Sequence, residues 1–208
     1  MDAPLFRAVA PNLTPGSGSA VRGFAAADWS NAIVHGVNRR RTSLFLMPSK
    51  EVGSFADDDV AAMIAYLQTL PPVNRDPGKS TVTLLGRIMI GLFEMDLLSA
   101  EPIDHQARLA AAPEVAPTPV YGAYLSNVCR GCHGADLRGG IVIHPGAPPS
   151  ADISSSRMKD YDFDTFERAL RQGVGRDGHT LAEDMPWRST KNLSNDELRA
   201  LWLGLRQE

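Results

Sequence analysis

Both cysteines of the chain lie in one pentapeptide, Cys129-Arg130-Gly131-Cys132-His133. Two thiols three positions apart on a helical turn reach the two vinyl carbons of one porphyrin and become thioethers, while the next residue presents an imidazole nitrogen to the iron. This is the spacing of covalent c-type haem attachment. A structural zinc site needs four ligands, usually with a second Cys or His pair, and the remaining histidines (His35, His105, His144, His179) stand singly. A thioredoxin-type redox pair follows a strand in a βαβ pattern, and none surrounds this motif. The remaining alternative is a buried cysteine pair with an incidental histidine.

The elements that must position the motif follow from its flanks. Tyr121 to Val128 reads as a helix with Tyr121, Tyr124, Leu125 and Val128 on one face, leading straight into Cys129. Gly122 permits close approach of another helix, with Trp202 as the expected partner. Residues 134–150 contain Gly139-Gly140 and Pro145-Gly146 and read as a loop able to wrap a haem edge. Leu193 to Leu205 reads as the terminal helix, opened by a Ser194/Glu197 capping box.

The chain repeats itself. Trp29, Ile33 and Gly36-Val37 are answered by Phe166, Leu170 and Gly173-Val174, and Met47-Pro48 by Met185-Pro186. The helix Phe55 to Leu70, with acids in its first turn, is answered by the terminal helix at an offset of 137–138 residues. If Asn12-Leu13-Thr14 answers Asp152-Ile153-Ser154, the offset there is 140, which would place a first CxxCH about eleven residues ahead of Met1. The first 25 residues also lack the charged start and apolar core of a secretory signal. One N-terminal truncation of a two-haem protein accounts for both absences; the rival expectation is a first unit that has lost its haem.

Composition is that of a globular protein, with 43% hydrophobic and 22% charged residues. The formal charge of −3 contains no basic block, which argues against nucleic acid as a partner. Arg39-Arg40-Arg41 reads as a solvated turn, with a docking patch as the alternative. Residues 83–98 form an apolar helix candidate, too short and too often charged to span a membrane. Packing across both halves of the chain is its expected role, and a membrane-surface or partner-docking role the alternative.

Taken together, Tyr121 to His133, the Met185-Pro186 loop and the capped terminal helix resemble a class I cytochrome c domain, in which the first and last helices cross. The duplication is similar to that in bacterial two-haem cytochromes c and the cytochrome c subunits of periplasmic dehydrogenases. The resemblance implies an all-α cytochrome c fold: a partial domain over residues 1–72 lacking its CxxCH, a linker over 73–117 with one apolar helix, and a complete domain over 118–208. It implies thioether bonds at Cys129 and Cys132, proximal ligation by His133 and distal ligation by Met185, with Met47 as the corresponding ligand of a second, unoccupied site. One haem c is expected in this chain and a second in an untruncated protein. Between Met158 and Met185, only Met185 sits in an irregular loop fixed by a proline; His179 or His144 remains the alternative distal ligand, at lower potential.

With both axial positions filled, the expected work is one-electron transfer with redox partner proteins: a dehydrogenase, an oxidase or another cytochrome. A thioether ligand and apolar burial by Leu137, Ile141, Leu181 and Trp187 would raise the potential. Arg176, Arg188 or Trp187 reads either as a hydrogen-bond donor to the haem propionates or as surface. Covalent haem implies the periplasm. The enzymatic alternative is a two-haem peroxidase-like oxidoreductase with an open distal position, and a haem-based sensor ranks behind it because no output domain is visible.

Overall fold

The computed structural model describes residues 2–93, 97–144 and 146–207. The chain divides into two compact units, Met1–Ala111 and Ala112–Glu208.

The first unit contains β1 (Asp2–Ala3), β2 (Phe6–Arg7), α1 (Ala26–Ile33), α2 (Ser49–Val52), α3 (Asp57–Thr69), β3 (Thr81–Val82) and α4 (Leu84–Phe93). Trp29 and Ile33, four apart on α1, pack with Val34 and Val60 into a core that also takes up Phe24, Met47, Phe55 and Leu67. Three consecutive acids, Asp57, Asp58 and Asp59, occupy the first turn of α3, where the helix dipole favours them. The three strands form an antiparallel sheet in the order β1-β2-β3, a small addition to the expected all-α fold. Each is two residues long, too short for alternation to show in sequence.

The first unit also extends further than the sequence suggests. Leu98 bridges to Phe45, the Ser99 amide donates to the Leu44 carbonyl (3.0 Å) and the Ser99 hydroxyl accepts from the Met47 amide (2.8 Å). Arg108 donates to Asp57 and to the carbonyls of Gly53 and Phe55. Residues 73–111, expected as linker, therefore belong to this unit rather than lying free between residues 72 and 118. The apolar helix runs from Leu84 to Phe93, with Leu84, Leu85, Ile88 and Leu92 exposed; residues 94–96 of the expected helix lie outside the described residues. Arg39 pairs with Asp28 (2.8 Å) and lies over the Phe24 ring while staying exposed, as do Arg40 and Arg41.

The second unit is helical throughout its described elements: α5 (Pro119–Ser126), α6 (Arg130–His133), α7 (Ser155–Met158), α8 (Phe163–Gln172), α9 (Trp187–Thr190) and α10 (Asn195–Leu205). Thr118 caps α5, with Pro119 in the first turn, and Asp162 caps α8 by accepting from the Thr165 amide (2.7 Å). The capping box forms as expected: the Glu197 amide donates to the Ser194 hydroxyl (3.2 Å) and the Ser194 amide to the Glu197 carboxylate (2.7 Å). Leu137, Met158, Phe166, Leu170, Leu198, Leu201 and Leu205 make the core.

The α5–α10 crossing takes a different partner from the one expected. Gly122 lies against the Ala200 backbone and the Gly204 amide, and Gly204 faces the Gly122 and Ala123 backbones in return. Two missing side chains let the helices touch backbone to backbone. Trp202 instead packs edge-on against Phe163 (5.8 Å) and donates its indole proton to the Tyr161 carbonyl (3.2 Å). The physical reason is that an indole is too large for a crossing this close.

A Cβ at position 122 would overlap the Ala200 carbonyl, whereas one at Gly91, in the last turn of α4, meets nothing within 4 Å. We expect Gly122→Val to destabilise the second unit by about 3 kcal/mol. Gly91→Ala should be neutral or stabilising by up to about 1 kcal/mol. Urea unfolding of both variants measures the contrast, and equal effects would contradict the packing described.

Candidate functional site

Helix α5 delivers the motif. After Ser126 the backbone tightens into a 3₁₀ turn at Asn127–Cys129 and re-forms as the single turn α6, ended by Gly134 at φ 83. The change of pitch rotates Val128 out of the face it was expected to share, leaving it 47% exposed while Tyr121 and Tyr124 are buried. Cys129 and Cys132 are half-buried and not joined to each other by a disulfide.

His133 is 7% exposed, and its Nδ1 lies 2.7 Å from the Ala151 carbonyl oxygen. A carbonyl only accepts, so Nδ1 carries the proton and Nε2 holds the lone pair. This is the tautomer a metal-ligating histidine adopts when a second group orients it. The Asp152 carboxylate accepts from the Ser154 amide (2.9 Å) and hydroxyl, and so shapes the turn that presents Ala151. Composition alone did not point to Ala151, because a backbone carbonyl leaves no residue-type signature. The signal available was Asp152-Ile153-Ser154, an Asx-turn pattern.

Met185 sits in the loop between α8 and α9, half-buried against the same core that Cys129 touches. That loop starts from Gly173, in the left-handed conformation at φ 70, where a Cβ would strike the Trp187 indole. It closes with a Val174–Thr180 bridge and a Leu181 amide to Gly173 carbonyl bond (2.7 Å). Arg171 holds its far end: Nη1 donates to the carbonyls of Lys191 (2.9 Å) and Leu193 (3.1 Å), Nη2 to Asn195 (2.7 Å) and Nε to Glu167 (2.8 Å).

The first unit repeats the geometry of this loop. Val37 bridges Ser43, the Leu44 amide bonds the Gly36 carbonyl (2.6 Å), and Gly36 has φ 62. The Ser49 amide donates to Met47 as the Trp187 amide donates to Met185, both at 2.8 Å. The Asn12 side chain accepts from the Thr14 amide (3.0 Å) as Asp152 does from Ser154. Met47 packs against its own unit's core.

The other expected groups separate by their partners. His144 Nε2 lies 3.1 Å from both Asp184 oxygens, and His179 is engaged by Asp177. Arg188 pairs with Glu183, holding that carboxyl below its ordinary range, and Arg176 lies over the Tyr161 ring. The Trp187 indole N–H is buried with no hydrogen-bond partner. Leu137 is 1% exposed and Leu181 and Trp187 are half-buried, whereas Ile141 is 38% exposed.

A covalently attached porphyrin needs two accessible sulfurs, an oriented imidazole with Nε2 available, and donors for its carboxylates. Cys129 and Cys132, the His133–Ala151 pair and the unpaired Trp187 donor fit those needs. Among the described residues no group of three or more His, Cys, Asp or Glu side chains could hold a bare metal ion, and no helix is long and apolar enough to cross a membrane.

Residues 120–203 match the cytochrome c family. The chain is 33% identical over 95 residues to the gluconate 2-dehydrogenase cytochrome c subunit of Pantoea cypripedii, covering 39% of this chain and 21% of that one. To the alcohol dehydrogenase (quinone) cytochrome c subunit of Gluconobacter oxydans it is 32% identical over 94 residues, covering 39% and 19%. A diheme cytochrome c-type protein of Cereibacter sphaeroides is 30% identical over 133 residues, covering 60% and 42%. The chain thus spans between about a fifth and two fifths of these relatives.

Asp152 generates a pH-dependent prediction. The Ser154 hydrogen bonds hold its carboxyl below the ordinary value, so the stability it contributes is present above the unfolded carboxylate value and lost as pH falls through the lowered one. Urea midpoints of wild type and Asp152→Asn should differ at pH 7 and converge as pH drops below about 4. A difference independent of pH would contradict this role.

Proposed function

We propose that residues 120–203, which match the cytochrome c family, hold a covalent haem c and that the chain carries single electrons, with Cys129 and Cys132 as attachment sites and His133 and Met185 as axial ligands. The observation that carries the reading is the His133 Nδ1 bond to Ala151, which leaves Nε2 as the coordinating nitrogen. When bound, the haem supplies a one-electron couple at its iron. The protein's own work is then to fix both ligands and exclude water. Met185 lies against the apolar core, where a thioether favours the lower charge state of an iron. The buried Trp187 indole N–H, which has no partner, would be available as a donor to a haem carboxylate. Arg176 and Arg188, already paired, remain at the surface.

Several finer points belong to the same proposal. The relatives named as dehydrogenase subunits support a dehydrogenase as electron donor, and the diheme relative supports a second haem near Met47. Covalent haem attachment supports a location outside the cytoplasm. Paired carboxylates on His144 and His179 favour Met185 over either histidine as the distal ligand.

The test is to express the chain with c-type haem maturation. The protein should retain haem under denaturing conditions, and lose that retention in Cys129→Ala/Cys132→Ala. The oxidised protein should show the weak red charge-transfer band of methionine-to-iron ligation. Met185→Ala should abolish that band and lower the midpoint potential by on the order of 0.1 V. A wild type without the band but with peroxide turnover would overturn the carrier reading.

A further inference from the structure

A pair of histidines in the first unit takes no part in the haem reading. His35 follows α1 and His105 lies in the stretch beyond α4, 70 residues away, yet their Nδ1 atoms are 3.1 Å apart and their rings 5.2 Å apart. They line a cavity of about 310 Å³ together with Asn31, Val37 and Arg41. At offset 137 the counterpart of His35 in the second unit is Gln172, so the pair has no copy there.

We propose that His35 and His105 form a binding site for a divalent first-row transition ion of the imidazole-preferring kind, such as Zn²⁺, Ni²⁺ or Cu²⁺. The geometry sets this proposal apart from an ordinary histidine contact. Metal–nitrogen bonds of about 2.0–2.1 Å at a tetrahedral angle place two ligand nitrogens roughly 3.3–3.4 Å apart, within a few tenths of an ångström of the separation found. In the metal-free pair one ring donates its Nδ1 proton to the other. On binding, the donating ring moves that proton to Nε2, so both Nδ1 lone pairs face the ion without net proton release.

The Arg108 charge acts on His35 and is one unfavourable neighbour for a cation. Arg108 itself is paired with Asp57 (2.5 Å), which reduces its opposition to a cation. Arg41 is the other, lining the same cavity. No third His, Cys or carboxylate joins the pair among the described residues, so the Asn31 amide oxygen and water are left to complete the shell. Two imidazoles with open positions make a site of modest affinity.

The site can be tested on the full-length, haem-loaded chain by titrating Zn²⁺ calorimetrically at neutral pH. One ion per chain should bind in the micromolar range, and His35→Ala and His105→Ala should each weaken it about tenfold or more. His179→Ala, which removes an exposed histidine outside the pair, should leave it unchanged. On the wild type, imidazole ¹⁵N shifts of His35 and His105 should move on saturation, a readout that stands even if one variant fails to fold. Absence of saturable uptake, uptake that survives both substitutions, or an equal loss in His179→Ala would overturn the proposal.

Discussion

The constraint on which the second unit depends is the backbone contact between α5 and α10 at Gly122 and Gly204. Helix α5 runs without interruption into the 3₁₀ turn and then into Cys129–His133, so whatever fixes α5 fixes the motif. A crossing made by side chains could slip as they change rotamer. One made by two glycines has a single closest approach, because backbone atoms have no rotamers to exchange. The terminal helix, anchored at its start by a reciprocal cap, thereby sets the position of a site that lies nearly seventy residues earlier in the chain.

The second determinant is the duplicated loop. Both copies have a left-handed glycine soon after a helix, close with the same bridge and reach a Met-Pro whose methionine carbonyl accepts from the residue two positions on. They differ in what lies over the glycine. In the second unit it is the Trp187 indole, and in the first it is Ser99, which also accepts the Met47 amide proton. The loop is thus a self-contained piece of backbone that tolerates different covers, and its methionine keeps the same place in both.

Much of this was legible in the sequence because it rests on local rules. The CxxCH spacing, the capping box at Ser194 and the acids opening α3 are all read within a few residues. The repeat carried the loop geometry, down to the paired turns at Asn12 and Asp152. What escaped notice depends on distant or typeless partners. The Ala151 carbonyl is backbone, the choice of Ala200 and Gly204 over Trp202 is a matter of fit, and the strap at residues 97–109 is recognisable only from its bonds to Leu44, Met47 and Asp57. Val128 departs from the expected face because a change from 3.6 to three residues per turn is silent in a helical pattern.

Arg171 shows how such a loop behaves over time. One guanidinium joins α8, the segment after α9 and the first residue of α10 through four hydrogen bonds, so the stretch carrying Met185 is held at both ends. Were Met185 an axial ligand, a loop held at both ends would limit how far its sulfur could move between oxidation states. Under the electron-carrier reading, little nuclear rearrangement then accompanies each change of oxidation state, and the intrinsic barrier to exchange stays low whatever the partner's identity.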